Sequence, residues 1–350
     1  MKRMKSEILI HTEELDRRWI DRMVDAGVDI LGLHPTGGHT AAESLARLVD
    51  ALEDGEFRAL LDYAAERGLE IEYEMHTASY LLPRALFAEH PEYFRMNEEG
   101  ERTADANFCV SNPEALELYA QNAAKLASRL YRSRPDYYFW MDDTRGRTCR
   151  CPECRQYSAT EQQLIVLNRV LEELRKSRPQ ARLAYLAYLD CLDVPQKVQP
   201  HEGVFLEFAP MERHICRTDP AHDTQIAERE ACMMRPLLDA FGREGAKALE
   251  YWLDNSLFSR WKKPPRVLDV DRASVYADLD AYQAEGFAVA ATFGCFLGQD
   301  YEALYGEPDI TPYTDWFAKK RQNKLPIEMR SSRRMSSSAS RSSVRADSNP

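Results

Sequence analysis

A short apolar run followed by a longer amphipathic stretch recurs along this chain until eight runs have passed, and that alternation restricts the available folds more than any other feature. Strands are expected at 7–11, 28–33, 69–75, 136–141, 182–189, 204–208, 247–253 and 287–292. Helical spacing fills 13–26, 41–67, 113–131, 160–176, 224–243 and 272–285, most clearly where Leu164, Val166, Leu167, Val170, Leu171 and Leu174 recur. The pattern predicts the α/β class and a (β/α)8 TIM barrel over 1–325, filled inside and working at its C-terminal rim. A doubly wound open sheet is the structural alternative, but no glycine-rich phosphate turn follows the first strand and there is no Walker-type loop. From Met329 onward the chain carries nine Ser, five Arg and hardly an apolar residue. Residues 326–350 are therefore expected to form a disordered Ser/Arg-rich tail, too polar to offset the entropy of ordering.

Apolar residues make up 44% of the chain, enough for a large core, and the net charge is −11. An acidic balance argues against nucleic-acid or anionic-membrane partners and suits a neutral substrate. No run of about 18 apolar residues is present, so no spanning helix is expected. The basic start leads only into Ile8–Ile10 before charges return, too short for a signal-peptide core, so the cytoplasm is the expected location. In a reducing compartment the eight cysteines read as thiols or metal ligands.

On a barrel, strand C-termini share one rim, which here collects His11, His34, Glu74, His76, Trp140, Tyr188, Glu207, Glu250, Trp252 and Asp254. Carboxylates with aromatic faces suit a sugar, whose hydroxyls and apolar ring faces they complement. Asp142 and Asp143, at the mouth of the fourth strand, are the catalytic candidates: one carboxylate stays ionised while its neighbour, raised by like charge and burial, serves as acid. The plainer reading is a helix cap or a loop salt bridge to Arg145 or Arg147. Glu250 is a rival, since retaining glycosidases use two carboxyls about 5–5.5 Å apart; an inward Glu250 would lie near Trp252, unless it is spent on an ion pair at the rim. The acidic pair should open onto a cleft shared with Trp252 and Glu207. No H-E-x-x-H or paired histidine spacing favours a catalytic metal. Cys149-x-Cys151-x-x-Cys154, with Cys109 from the preceding loop, reads either as reduced structural thiols or as a closed four-thiolate zinc site. Either way it braces the loop after Asp143.

The pieces EYEMH, HPEYFRMNEEGER, NFCVSNPEAL, WMDDTRGRTCRCPEC and FLEFAP resemble the glycoside-hydrolase-like barrel known as domain of unknown function 4838, some members of which form glycoside hydrolase family 163, endo-β-N-acetylglucosaminidases. The acidic pair is more distantly similar to the Asp-Glu of family 20 hexosaminidases. That resemblance implies hydrolysis of N-acetylhexosamine-containing glycans with the substrate's acetamide oxygen as nucleophile. Asp142 would then steady the acetamide, Asp143 would protonate the leaving oxygen, and Tyr251, Trp252 or Asp254 would line the sugar subsite. Asp143 replaces the Glu of the hexosaminidases, a reach shorter by one methylene. Two alternatives stand beside this: a double-displacement glycosidase using Asp143 and Glu250, and a carbohydrate-binding barrel without catalysis. None of the three requires a cofactor for chemistry.

Overall fold

The computed structural model describes residues 3–219 and 221–323; the expected tail lies outside them. Eight parallel strands close on themselves in chain order: β1 (Lys5–His11), β2 (Ile30–His34), β3 (Glu70–His76), β4 (Asp136–Trp140), β5 (Arg182–Ala187), β6 (Val204–Phe208), β7 (Lys247–Glu250) and β8 (Val289–Phe293). β8 returns to β1 with Lys5 opposite Val289, which completes a (β/α)8 barrel. The fold is the one the alternation predicts.

Helices form where the sequence supplies both a cap and a stripe. In the helix Ala159–Arg175, the Ser158 side chain accepts from Glu161 N while Glu161 reaches back to Ser158 N, a reciprocal cap worth about 1 kcal/mol. Its apolar stripe from Leu164 to Leu174 is buried against the barrel. At Arg17–Ala26 the Asp16 side chain accepts from Trp19 N at 2.9 Å, and Gly27 ends the helix at φ +70, beside Arg321, with no room for a Cβ. No helix separates β5 from β6 among the described residues. Their outer faces are covered from either side by Ala159–Arg175 and Thr224–Phe241, with Tyr185 stacked on Phe241 at 4.4 Å.

Alternation along the strands sends one set of residues into the barrel. Two expectations about that set fail. Glu74 was expected at the rim but is fully buried in an interior layer, where Lys247 pairs with Glu7 at 2.5 Å, with Glu72 at 3.0 Å and with Glu74. Burial raises Glu7 and Glu74 well above the usual carboxylate range, against the pull of Lys247. Glu207, also expected at the rim, is buried above this layer and accepts from Trp140 Nε1 at 2.7 Å. Burial pushes it up to about 7.

The parity of β7 is the second correction. Lys247 must point inward to meet its three carboxylates, so Leu249 and Tyr251 follow it and Glu250 and Trp252 face out. Glu250 is enclosed by Arg213, by His214 Nε2 at 2.7 Å and by Tyr282. Although burial opposes it, Arg213 and the hydrogen bonds hold Glu250 below the usual range. Trp252 Nε1 donates to Asp278 at 2.9 Å beneath the outer helices. Neither residue reaches the cleft.

Candidate active site

At the C-terminal rim a cleft of about 580 Å³ opens to solvent. Of the residues expected to serve a site, it brings together Asp143, His76, Trp140, Tyr188, Tyr251 and Asp254. Its floor is aromatic: Trp140 lies 5.5 Å from His34 and 5.1 Å from His76, and Tyr251 lies 5.1 Å from Phe293. Tyr188 donates to Asp143 Oδ1 at 3.1 Å. Burial, with Asp143 adding to it, raises the Tyr188 phenol well above its usual value, so it stays a donor. Gly37, in the loop after β2, passes so close that a Cβ there would stand 2.9 Å from His76 Cδ2 and 3.8 Å from Asp143 Oδ2. A side chain would push the β2 loop off the acid.

The two aspartates part company. Asp142 does not line the cleft; it borders a narrow side pocket of about 50 Å³ with Asn107, Phe108, Val110 and Met141. The pocket and the cleft adjoin, with His76, Thr144, Leu186, Tyr188 and Leu189 lining both. Asp142 is held by Arg84, accepts from Asn107 N at 2.6 Å, and returns its own N–H to Asn107 Oδ1 at 2.9 Å. The ion-pair reading of this dipeptide is thus half met, with Arg84 rather than Arg145 or Arg147 as partner. Arg145 instead pairs with Glu212 and Asp190, and Arg147 with Asp105 at 3.1 Å.

Asp254 sits just beyond β7 and caps the short helix Asn255–Phe258, taking Ser256 N at 3.0 Å, Ser256 Oγ at 2.5 Å and Leu257 N at 3.3 Å, all on Oδ1. Burial raises it despite those bonds.

The cysteines converge behind Asp142. Cys109 Sγ lies 3.7 Å from Cys151 Sγ and 3.8 Å from Cys154 Sγ, and the four sulfurs, with Cys149, all fall within 4.8 Å of one another. A tetrahedral ion with bonds of about 2.3 Å would set its sulfurs about 3.8 Å apart, so the clasp has the dimensions of a four-thiolate zinc site. Met96 N at 3.3 Å from Cys149 Sγ and Cys154 N at 3.4 Å from Cys151 Sγ supply the N–H donors that bound thiolates take. Glu7, Glu72 and Glu74 also lie close enough together to hold a cation, but the Lys247 ammonium already stands among them.

Several cleft features escaped the sequence reading. Trp261 is 63% exposed yet lines the cleft, tied by its N–H to Ser256 O at 2.7 Å. Leu189, Trp261 and Phe296 in the cleft wall, and Asn107 in the side pocket, hold positive φ without being glycine. Such strain gathers where surrounding structure fixes a loop for a task. Nothing in the residue types announces it.

No curated protein matches the chain in sequence. The family described as "Domain of unknown function (DUF4838)" matches residues 54–229, which include both aspartates, all four clasp cysteines and β3 to β6. Among solved structures, a beta-galactosidase from Rahnella sp. R3 superposes with a TM-score of 0.56 at 13% identity, covering 90% of this chain and 55% of that one. A beta-galactosidase from Marinomonas ef1 gives 0.50 at 12% identity, over 83% and 54%. A structure described as a glycoside hydrolase gives 0.52 at 11% identity, over 91% and 99%. The chain spans about half the length of the two beta-galactosidases. At these identities the likeness is one of fold: a barrel of the kind glycoside hydrolases use.

Proposed function

The chain belongs to the DUF4838 family, and from that premise we propose that its barrel hydrolyses glycans containing N-acetylhexosamine, with the substrate's own acetamide as nucleophile. The observation that carries the reading is the division of the Asp142–Asp143 dipeptide between the side pocket and the cleft. A sugar over the aromatic floor can send its 2-acetamido group toward the side pocket, where Phe108, Val110 and Met141 suit a methyl group and Asp142 suits an N–H. Arg84 and Asn107 hold Asp142 aimed. Asp143, held by Tyr188, gives its proton to the leaving oxygen as the C1–O bond breaks and the acetamide oxygen bonds to C1. Water then attacks C1, the acetamide re-forms, and the water's proton returns to Asp143.

Turnover of an aryl β-N-acetylglucosaminide tests this. Loss in both Asp142→Asn and Asp143→Asn, with inhibition by a thiazoline analogue, is the expected result. Equal turnover of the sugar lacking the acetamide sinks it. A second reading has Asp143 as acid/base and Asp254 as nucleophile, favoured by Asp254 lining the cleft at the end of β7, with no donor to its Oδ2 among the described residues. Asp254→Asn abolishing turnover with a trapped glycosyl-enzyme would select it. Sugar binding without any turnover leaves a binding barrel.

We assign the clasp to a structural zinc ion, held by Cys109, Cys149, Cys151 and Cys154. All four positions are filled by protein, so the ion would have no open site for water and no part in the chemistry. Its place is mechanical: Cys109 follows Asn107 by two residues, so fixing the clasp fixes the backbone that orients Asp142.

A further inference from the structure

The first three strands each end in histidine, at His11, His34 and His76. Their rings stand in a row, with centroids 5.8 and 6.0 Å apart. Each ring makes the same kind of bond. His11 Nδ1 meets His34 O at 3.2 Å, His34 Nδ1 meets Glu74 O at 2.8 Å, and His76 Nδ1 meets Met141 O at 2.6 Å.

A carbonyl oxygen can only accept, so each Nδ1 must carry hydrogen. In a neutral imidazole, Nε2 is then a bare lone pair. All three rings line the cleft, and no protein donor among the described residues meets their Nε2 atoms. Burial, and then the neighbouring His11 and His76, hold His34 well below its usual value. Trp140 and Phe293 flank it with apolar faces at 5.5 and 5.1 Å. With its rings neutral, the row is therefore a set of acceptors without protein donors among the described residues, set beside the aromatic floor of the cleft.

We propose that His11, His34 and His76 form a subsite that accepts hydrogen bonds from the hydroxyl groups of a neutral sugar ring bound beside Asp143. The inference rests on the carbohydrate reading above and narrows it to a substrate class. Hydroxyls supply the missing donors. A uronate, sialate or sulfated sugar would bring its own lone pairs to the row and is refused. A metal is the competing occupant of three imidazoles. Against it, no group of three ligand atoms drawn from these histidines lies within 4.8 Å of one another among the described residues.

The test is histidine ¹⁵N NMR on Asp143→Asn protein, titrated separately with N-acetylglucosamine, glucuronic acid and Co²⁺. The three rings should show protonated Nδ1 and bare Nε2. N-acetylglucosamine should move their Nε2 signals while those of His90 and His201, outside the cleft, stay still. Glucuronic acid should bind at least about 10-fold more weakly, the scale of one unpaired polar group. In the same background His34→Phe should weaken N-acetylglucosamine binding about 10- to 100-fold, and His34→Gln, which retains an acceptor oxygen, should recover most of it.

Nε2 signals that stay still while the indole N–H signals of Trp140 or Trp261 shift would overturn the inference and leave the hydrolase reading intact. Tight Co²⁺ binding at the three rings would also overturn it. Responsive Nε2 signals in a protein that hydrolyses no aryl glycoside would keep the subsite and remove the hydrolase.

Discussion

Asp142 and Asp143 are joined by one peptide bond and serve different cavities, so their substitutions should fail differently. If Asp143 is the proton donor proposed above, Asp143→Asn should lower kcat on a β-N-acetylglucosaminide with an unactivated leaving group by about 10²–10⁴, measured at saturating substrate. Asp142→Asn should also raise KM, because the acetamide loses its partner; an unchanged KM would count against the side pocket as its seat. Trp261 calls for a separate measurement. Its ring is exposed and free of core packing, so Trp261→Ala should leave the melting temperature unchanged. Loss of a stacking face worth about 0.5–1.5 kcal/mol should weaken an oligosaccharide roughly 2- to 10-fold while sparing a monosaccharide. The sequence pointed to Asp143, His76, Trp140, Tyr188 and Asp254 because residues ending a barrel strand face one rim whatever the loops do, and to Tyr251 through the family resemblance. It misplaced Glu250 and Trp252 because the run KALEYWLD has a charge on both parities. Only the glutamates of β1 and β3 decide which one turns inward.

Among the elements, the loops after β3 and β4 act as one. The clasp joins Cys109 of the first to three cysteines of the second, while Asn107 and Asp142 exchange hydrogen bonds beside it. Purified protein should contain one zinc per chain by elemental assay. Stripping the ion with a chelator should lower both the melting temperature and aryl-glycoside turnover. A metal-free protein of undiminished activity would reduce the cluster to buried thiols. Element boundaries read from sequence ran long where backbone strain intervenes: β5 ends at Ala187, ahead of Leu189 at φ +51. The side pocket was illegible for a related reason. It is made by loops meeting in space, and loop conformation leaves no periodic trace in residue type.

For the whole molecule, the barrel was legible because eight apolar runs, all but the fifth and sixth separated by amphipathic helices, admit few closed solutions. Its charged interior was not. Four fully buried glutamates surround or overlie a single lysine, and this sets the pH response of the fold. Glu207 rises from 4.5 to about 7 by burial, so the folded state holds its proton more tightly than the unfolded chain. That contribution is present in full below pH 4.5 and is lost between there and 7, a decline of about 3 kcal/mol. Glu207→Gln should flatten the fall in denaturant-measured stability across that window, and an unaltered slope would refute the assignment. Lys247→Met, which strands the glutamates without a counter-charge, should cost about 3–5 kcal/mol. The absent helix between β5 and β6 has its own consequence at this scale. Elsewhere each strand is followed by a helix of its own crossover; β5 has none, and its cover comes from the crossovers on either side, Ala159–Arg175 and Thr224–Phe241, the latter with Pro236 inside it. Amide protons of β5 and β6 should therefore exchange with deuterium through a sub-global opening, at lower free energy than those of β1 to β3. The ring of strands is closed, but its cooperativity has a seam.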